Sequence, residues 1–207
     1  MKDSALIIFQ KNPIPGKVKT RLAKDVGDEV ALDVYQLLVA KTHQEAFKSQ
    51  ADVWLFYSDF IPEDQIECSD YPRIQSGGDL GERMKNAFEE VFKQGYRSAL
   101  IIGTDCPEIS VEILDQALLG LQSSDLVIGP AKDGGYYLLG MRKFSPELFE
   151  KISWSTDAVL QQTKTVAQKN DLSIHFLPEF SDIDTLEDLN LLISQKPEYE
   201  YLLRNSR

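Results

Sequence analysis

One aspartate stands where a buried strand is predicted to end. Residues 99–102 (Ala-Leu-Ile-Ile) form a continuous apolar run, which is typical of a strand covered on both faces. Pro107, which has no amide hydrogen, cannot extend a β-ladder. Asp105 is therefore expected in the crevice beyond the carboxyl end of a central strand, where open α/β sheets bind ligands. A carboxylate there can hold a divalent cation against a diphosphate, or it can simply cap a turn.

A loop rich in cations follows the first predicted strand, residues 5–9. Two prolines and a glycine between positions 10 and 22 predict an extended loop. The loop concentrates cations in a chain whose net charge is -11. Such a loop can bind phosphate groups, although a solvated basic loop has the same composition and the spacing is not that of a Walker A motif. The cations are Lys11, Lys17, Lys19 and Arg21.

Two loops that contain glycine could approach a ligand closely. Residues 77–81 (Gly-Gly-Asp-Leu-Gly) precede the clearest amphipathic pattern, with apolar residues at helical spacing from 84 to 92. Glycines at a helix start allow close contact with an anion, and they also suit a tight turn. A second run, Asp133-Gly134-Gly135, lies between two apolar segments and indicates a turn. Its functional interpretation is a loop that lies against the acceptor substrate.

Two further segments near the carboxyl terminus carry candidate residues. Trp154 stands just before a predicted helix for which Ser155 is the expected N-cap. A tryptophan there can act as a packing staple or as a platform for a bound acceptor. Later, Thr185 followed by Asp188 forms an acidic relative of the capping box, which predicts a helix start.

These candidates are distributed over a chain in which predicted strands alternate with predicted helices. The alternation predicts an α/β fold, a three-layer αβα arrangement around a mostly parallel sheet, with an antiparallel strand added between 125 and 141. A length of 207 residues without a repeat or linker is expected to form a single domain over 1–207. The other predicted strands are 52–57, 73–75 and 172–177, and a long helix is predicted over 28–48.

Composition excludes several classes of protein. The net charge of -11 argues against a general nucleic-acid binder, and the five-residue apolar run near the start is too short for a membrane span. Cys68 and Cys106 form no disulfide framework, so a cytoplasmic location is expected. A catalytic thiol is disfavoured because His43 and His175 belong to no recognisable nucleophile motif.

The order of these motifs is more specific than any one of them. The chain has a cationic loop after the first strand, Gly-Asp-Leu-Gly at 78–81, Asp-Cys-Pro at 105–107, Asp-Gly-Gly at 133–135 and Asp-Ile-Asp-Thr at 182–185. From about Leu6 to Leu192 it resembles the nucleotide-diphospho-sugar transferase superfamily, the glycosyltransferase-A fold. Within it the chain looks most like a bacterial group of radical-SAM-associated or arsenosugar-type glycosyltransferases. It is also similar to molybdenum-cofactor guanylyltransferase and phospholactate guanylyltransferase.

The resemblance implies roles for individual residues. It implies that Asp105 binds Mg²⁺ or Mn²⁺ and that Asp182 or Asp184 supplies a second carboxylate to the metal. With that ion, Lys19, Arg21 and Asp105 are expected to be the catalytic residues, because they would stabilise the leaving phosphate. The functional interpretation of the Asp-Gly-Gly turn and of the tryptophan adds an acceptor side formed by Asp133, Gly134, Gly135 and Trp154. The residues implied to bind the nucleotide are Lys11, Gly16, Lys19, Arg21, Gly77, Asp79 and Gly81.

The resemblance has departures that leave the reaction open. Nucleotidyltransferases of this fold usually carry Leu-Ala-Ala-Gly-x-Gly-x-Arg after the first strand, whereas residues 9–21 lack that pattern, and position 103 is glycine rather than the first aspartate of an Asp-x-Asp motif. The expected function is therefore metal-dependent glycosyl transfer from a nucleotide-diphospho-sugar to a small-molecule acceptor. The alternatives are nucleotidyl transfer from an NTP with release of pyrophosphate, and non-catalytic nucleotide binding. A haloacid dehalogenase-type hydrolase is disfavoured because 182–185 lies at the wrong end of the chain.

Overall fold

The computed structural model describes residues 2–63 and 71–204, apart from the side chain of Arg204. Cys68 lies outside the described residues, so the expectation about its pairing stays a prediction. The described chain builds one seven-stranded sheet with the strand order β3-β2-β1-β4-β6-β5-β7. Its strands are β1 (Ser4–Gln10), β2 (Asp52–Tyr57), β3 (Tyr71–Ile74), β4 (Ser98–Ile102), β5 (Leu126–Pro130), β6 (Tyr136–Met141) and β7 (Ile174–Phe176).

Helices cover both faces of this sheet. The longest has 19 residues and follows a short helix with only one glycine between them. The helices are α1 (Thr20–Val26), α2 (Asp28–Ala46), α3 (Leu80–Lys93), α4 (Val111–Ser123), α5 (Val159–Lys169), α6 (Leu186–Gln195) and α7 (Tyr201–Arg204), with 3-10 turns at Pro146–Phe149 and Pro197–Tyr199.

The sheet is parallel except at one strand. β1 pairs in parallel with both β2 and β4, and β2 pairs in parallel with β3. β6 runs antiparallel to β4 and to β5, whereas β7 is parallel to β5. The carboxyl ends of β1, β2, β3 and β4 therefore meet at one edge of the sheet, which brings the loops after them together.

Strand composition explains why the middle of the sheet is covered on both faces. In β4 every residue is buried, and alternate side chains enter opposite cores. Leu100 and Ile102 pack toward α4, whereas Ala99 and Ile101 pack toward α3. Period-two alternation thus divides one apolar run between two layers, which gives the three-layer arrangement.

The predicted fold class is confirmed, including the antiparallel strand, which is β6. Predicted and observed bounds agree at 52–57, and most others differ by one or two residues. One local prediction is wrong: Ser155 does not cap a helix, because α5 begins at Val159 with Ala158 at the N-cap position. Ser155 instead has φ of 61° and lies in a turn. A hydrogen bond within the same turn runs from the Thr156 hydroxyl to the Ser153 carbonyl over 2.7 Å.

Candidate active site

A cleft of about 680 Å³ opens where the strands' carboxyl ends meet. Its floor is the end of β4, residues 101–105, and its walls come from the loops after β1, β2, β3 and β5. Of the residues predicted for the site, the cleft is lined by Lys11, Lys19, Arg21, Asp105, Asp133, Gly135, Trp154, Asp182 and Asp184.

The loop that carries two of these aspartates is attached to the Asp105 loop by the backbone. The amide of Ile183 donates to the carbonyl oxygen of Asp105 over 2.9 Å. Ile183 itself is buried in the core under α1 and α6. Its flanking residues Asp182 and Asp184 consequently face the cleft beside Asp105. A segment nearly eighty residues away in sequence thus completes the carboxylate cluster.

The ammonium group of Lys19 lies within this cluster. Its Nζ contacts Asp105 Oδ1 and lies 3.4 Å from Asp184 Oδ1. The Lys19 side chain is only 2% exposed, whereas both aspartate side chains are 44% exposed. Arg21 approaches the outer oxygen of Asp184 at 3.9 Å and is 68% exposed. The carboxylates of Asp105 and Asp184 therefore have one buried cation, Lys19, and one exposed cation, Arg21, close to them.

Asp182 has the most perturbed carboxyl group of the cleft. Burial, together with the negative charges of Asp105, Asp184 and Asp133, raises the pKa of Asp182 to about 7. Lys19 opposes this effect by favouring the charged form. A carboxyl group balanced in this way lies where a further cation would be strongly attracted.

The three aspartates fit a divalent cation in their chemistry. Carboxylate oxygens are the ligands that Mg²⁺ and Mn²⁺ prefer. Within the described ranges, however, no three His, Cys, Asp or Glu side chains are arranged as a ready-made metal site. The ammonium group of Lys19 contacts Asp105 and lies close to Asp184 in this cluster. The carboxylates are therefore suitable ligands for a divalent cation, and the positive charge of Lys19 already lies beside two of them.

Most backbone amides in the loop from 12 to 17 are hydrogen-bonded within the protein or lack a hydrogen. The amide of Asn12 donates to Ser58 Oγ, that of Ile14 to the Asn12 carbonyl and that of Lys17 to the Ile14 carbonyl. Pro13 and Pro15 have no amide hydrogen. Five of these six positions therefore either lack an amide hydrogen or already donate it within the protein.

Three polar residues that the sequence did not single out also line the cleft. The Nε2 of Gln75 donates to the carbonyl oxygens of Phe56 and Gln10, over 2.9 and 3.4 Å, which fixes the orientation of its amide. Arg83 donates through Nε to the Gly77 carbonyl over 3.1 Å. The third residue is Ser58. The sequence could have indicated Arg83, because it is a cation in the first turn of a helix that follows a glycine-rich loop.

The wall beyond β5 and β6 joins three separate segments. Gly134 has φ of 89°, and a Cβ there would lie 2.2 Å from the Asp157 carbonyl oxygen. The amide of Leu160 donates to the Gly134 carbonyl over 2.9 Å. The Asp-Gly-Gly turn is thereby packed directly against the start of α5, which brings Trp154 and Asp157 into the cleft beside Asp133.

Five of the predicted site residues do not line the cleft: Gly16, Gly77, Asp79, Gly81 and Gly134. Their contacts give each of them a structural role, and their predicted contact with a ligand stays a prediction. Asp79 caps α3 by accepting from the Glu82 amide over 2.8 Å. A Cβ at Gly77 would lie 2.8 Å from the Arg83 amide nitrogen, and one at Gly81 would lie 1.9 Å from Trp154 Nε1. Gly16 has φ of 74° in the turn before α1.

The fold and cleft define an α/β protein of the nucleotide-diphospho-sugar transferase superfamily. The crystal structure of a proposed nucleotide-diphospho-sugar transferase from Desulfovibrio desulfuricans G20 is 35% identical in sequence. The similarity covers 100% of this chain and 99% of that one, with a TM-score of 0.91. Residues 39–156 match the family DUF2064, described as an uncharacterized protein conserved in bacteria, and the chain belongs to this family.

More distant structures share the fold. The inositol-1-phosphate CTP transferase of T. maritima has 15% identity and a TM-score of 0.55, over 100% of this chain and 98% of that one. The Rv0371c protein of Mycobacterium tuberculosis H37Rv, solved with manganese, has 11% identity and a TM-score of 0.53, over 99% and 100%. No curated protein matches the sequence. Among the described helices, none combines the length and apolar character needed to cross a membrane.

Proposed function

We propose that this protein is a metal-dependent transferase that moves a glycosyl group from a nucleotide-diphospho-sugar to a small acceptor. The 35% identical relative and the transferases of the same fold support a transferase that uses a nucleotide-activated donor. The choice of the glycosyl reaction depends on how the cleft would hold phosphates.

We base this choice on the backbone amides of the loop after β1, several of which are already hydrogen-bonded. Enzymes that hold a triphosphate on a glycine-rich turn need free backbone N–H groups there. Here the amides of Asn12, Ile14 and Lys17 already have acceptors, and two positions are proline. A diphosphate held by side chains requires no such turn. The loop therefore favours a nucleoside diphosphate as the leaving group.

Three cationic side chains in the cleft are available to bind that leaving group. Lys11, Lys19 and Arg21 all line the cleft. In glycosyl transfer an acceptor hydroxyl forms a bond to the sugar's anomeric carbon and loses its proton to a carboxylate or to water. The bond between that carbon and the diphosphate oxygen breaks, and negative charge develops on the departing diphosphate. Cations fixed beside that oxygen stabilise the transition state more than the bound donor.

The carboxylates would serve the same purpose through a metal. We assign Asp105, Asp182 and Asp184 as the residues that hold Mg²⁺ or Mn²⁺, and the manganese complex of a protein with this fold supports that assignment. When bound, the cation neutralises charge on the diphosphate.

The far wall would receive the acceptor. Trp154 provides an aromatic surface there, and Asp133 and Asp157 provide carboxylates. The side chain of Asp133 accepts from the Gly135 amide over 2.9 Å, which leaves its second oxygen for the substrate. Carboxylates and an aromatic ring together are typical of sites that bind hydroxylated molecules.

Two release assays test the proposal. The first measures nucleoside diphosphate released from common sugar donors, and the second measures pyrophosphate released from the four NTPs, both with Mn²⁺ and a panel of hydroxylated acceptors. We expect diphosphate release from at least one donor and none of pyrophosphate. Pyrophosphate release alone would replace glycosyl transfer by nucleotidyl transfer.

The non-catalytic alternative has its own signature. A nucleotide-binding protein without chemistry would show a thermal shift with a nucleotide and no product in either assay. An Asp105→Asn variant purified in the same way is the matched control: product that both proteins form at the same rate comes from a contaminating enzyme or from chemistry that does not use Asp105.

A further inference from the structure

The side chain of Lys19 is buried behind carboxylates that remain open to the cleft. Its own exposure is 2%, while those of Asp105 and Asp184 are 44%. It contacts Asp105 and lies 3.4 Å from Asp184. The ammonium therefore neutralises the cluster from the protein side, and any other cation must approach the same oxygens from the solvent side.

The backbone holds Lys19 in this position at a conformational cost. Its φ of 47° and ψ of 40° are left-handed, which is unfavourable for a residue with a Cβ. It occupies the N-cap position of α1, yet its side chain makes no capping hydrogen bond. Strained backbone of this kind persists where surrounding structure requires it. Here the strain directs the side chain to the carboxylates rather than to the helix end.

We propose that Lys19 competes with the divalent cation for Asp105 and Asp184, so that the metal and the donor's diphosphate bind cooperatively. The part of this inference that concerns the diphosphate rests on the proposed function. The competition itself concerns only the metal and the protein.

The coupling follows from the charges. An ammonium group has three N–H donors, and in the free protein two of them point to Asp105 and Asp184. A diphosphate in the cleft offers Lys19 anionic oxygens of higher charge. Once Lys19 donates to these oxygens, the two carboxylates lose their buried counter-ion, and a divalent cation becomes the favourable replacement. By linkage, the metal must then tighten diphosphate binding by the same factor.

Arg21 provides the matched comparison. It has the same charge as Lys19 and lines the same cleft, but it is 68% exposed and lies 3.9 Å from Asp184. An exposed pair at that distance is screened by solvent. Removing either residue changes the net charge equally, and only the loss of Lys19 removes a buried competitor.

The experiment titrates Mn²⁺ into the full chain without nucleotide, with free Mn²⁺ followed by electron paramagnetic resonance. We expect Lys19→Met to bind Mn²⁺ more tightly than wild type, on the order of tenfold. Arg21→Met should change the affinity much less. If Lys19→Met does not fold, the titration uses Lys19→Gln in its place, because this variant keeps an N–H donor for Asp105. Unchanged or weaker binding in the Lys19 variant, or equal tightening in both variants, would overturn the competition.

A second arm adds CDP, GDP, ADP or UDP to the titration, with a protein-free blank that corrects for Mn²⁺ bound by the nucleotide. At least one nucleotide should tighten Mn²⁺ binding to wild type, and the effect should shrink in Lys19→Met. If no nucleotide has an effect while Lys19→Met still tightens Mn²⁺ alone, the competition is supported, and the coupling fails together with the proposed donor.

Discussion

Gly81 and Trp154 are in direct contact across the cleft wall, although 72 residues separate them. A Cβ at position 81 would lie 1.9 Å from the indole Nε1 and 2.2 Å from Cε2. The start of α3 thereby packs against the turn before α5. Gly81 is required here for space, and this role differs from the nucleotide contact that the sequence predicted.

Gly81→Ala should accordingly destabilise the protein by about 1–3 kcal/mol, because the indole must move to accommodate a methyl group. The change in free energy of unfolding is measured by urea titration, and tryptophan fluorescence reports the altered environment of Trp154. Gly103→Ala is the control, because a Cβ there meets nothing within 4 Å. An equal cost at both positions would mean that the contact with Trp154 is not the cause.

Asp105→Asn should remove most of the thermal shift that Mn²⁺ produces together with a nucleotide. The substitution keeps the size of the side chain and its acceptor oxygen but removes the charge that attracts a divalent cation. Differential scanning fluorimetry with and without Mn²⁺ measures the effect. Asp115→Asn, on the exposed face of α4, is the control for loss of one negative charge. A full shift retained by Asp105→Asn would contradict the metal assignment.

Arg21→Ala should weaken a nucleoside diphosphate much more than the corresponding nucleoside. A charge-assisted hydrogen bond to phosphate is worth about 1.5–3 kcal/mol, and a nucleoside cannot form it. Isothermal titration with both ligands gives the difference. Lys24→Ala removes an equal charge from the same helix at a position outside the cleft lining. Similar losses for the nucleoside and the diphosphate would indicate that Arg21 acts on the structure.

His43 should make the protein less stable in mild acid. Burial lowers the pKa of His43, whose Nε2 is 2.8 Å from Gln10 Oε1. As the pH falls below the unfolded-state pKa of about 6.5, the unfolded chain binds a proton that the folded protein resists. The stability is therefore complete above this pKa and decreases below it, until the pH reaches the folded-state value.

Urea unfolding at pH 7.5 and pH 5.5 measures this loss. His43→Gln should show a smaller decrease between the two pH values than wild type. His175→Gln also removes one histidine, but from an exposed position. Its stability should decrease between the two pH values as much as that of wild type. A decrease in His43→Gln as large as in wild type would assign the acid sensitivity to other groups.

Much of the framework could be predicted because its signals are local. The apolar run at 99–102 and the helical spacing at 84–92 each record the periodicity of one element, and both elements formed. The capping box of Thr185 and Asp188 is likewise contained within four residues. The position of Asp105 at the end of β4 follows from the strand alone.

What the sequence by itself determined is therefore the elements, their alternation and the kinds of charge at their ends. Only the tertiary structure decided which of those charges meet, since contacts between distant segments leave no periodic trace. The Ile183 amide donates a hydrogen bond to the Asp105 carbonyl, which brings Asp184 close to Asp105. Lys19 can therefore contact both carboxylates. Gly81 contacts the indole of Trp154, which is distant in sequence, for the same reason: packing, rather than local propensity, fixes which surfaces touch.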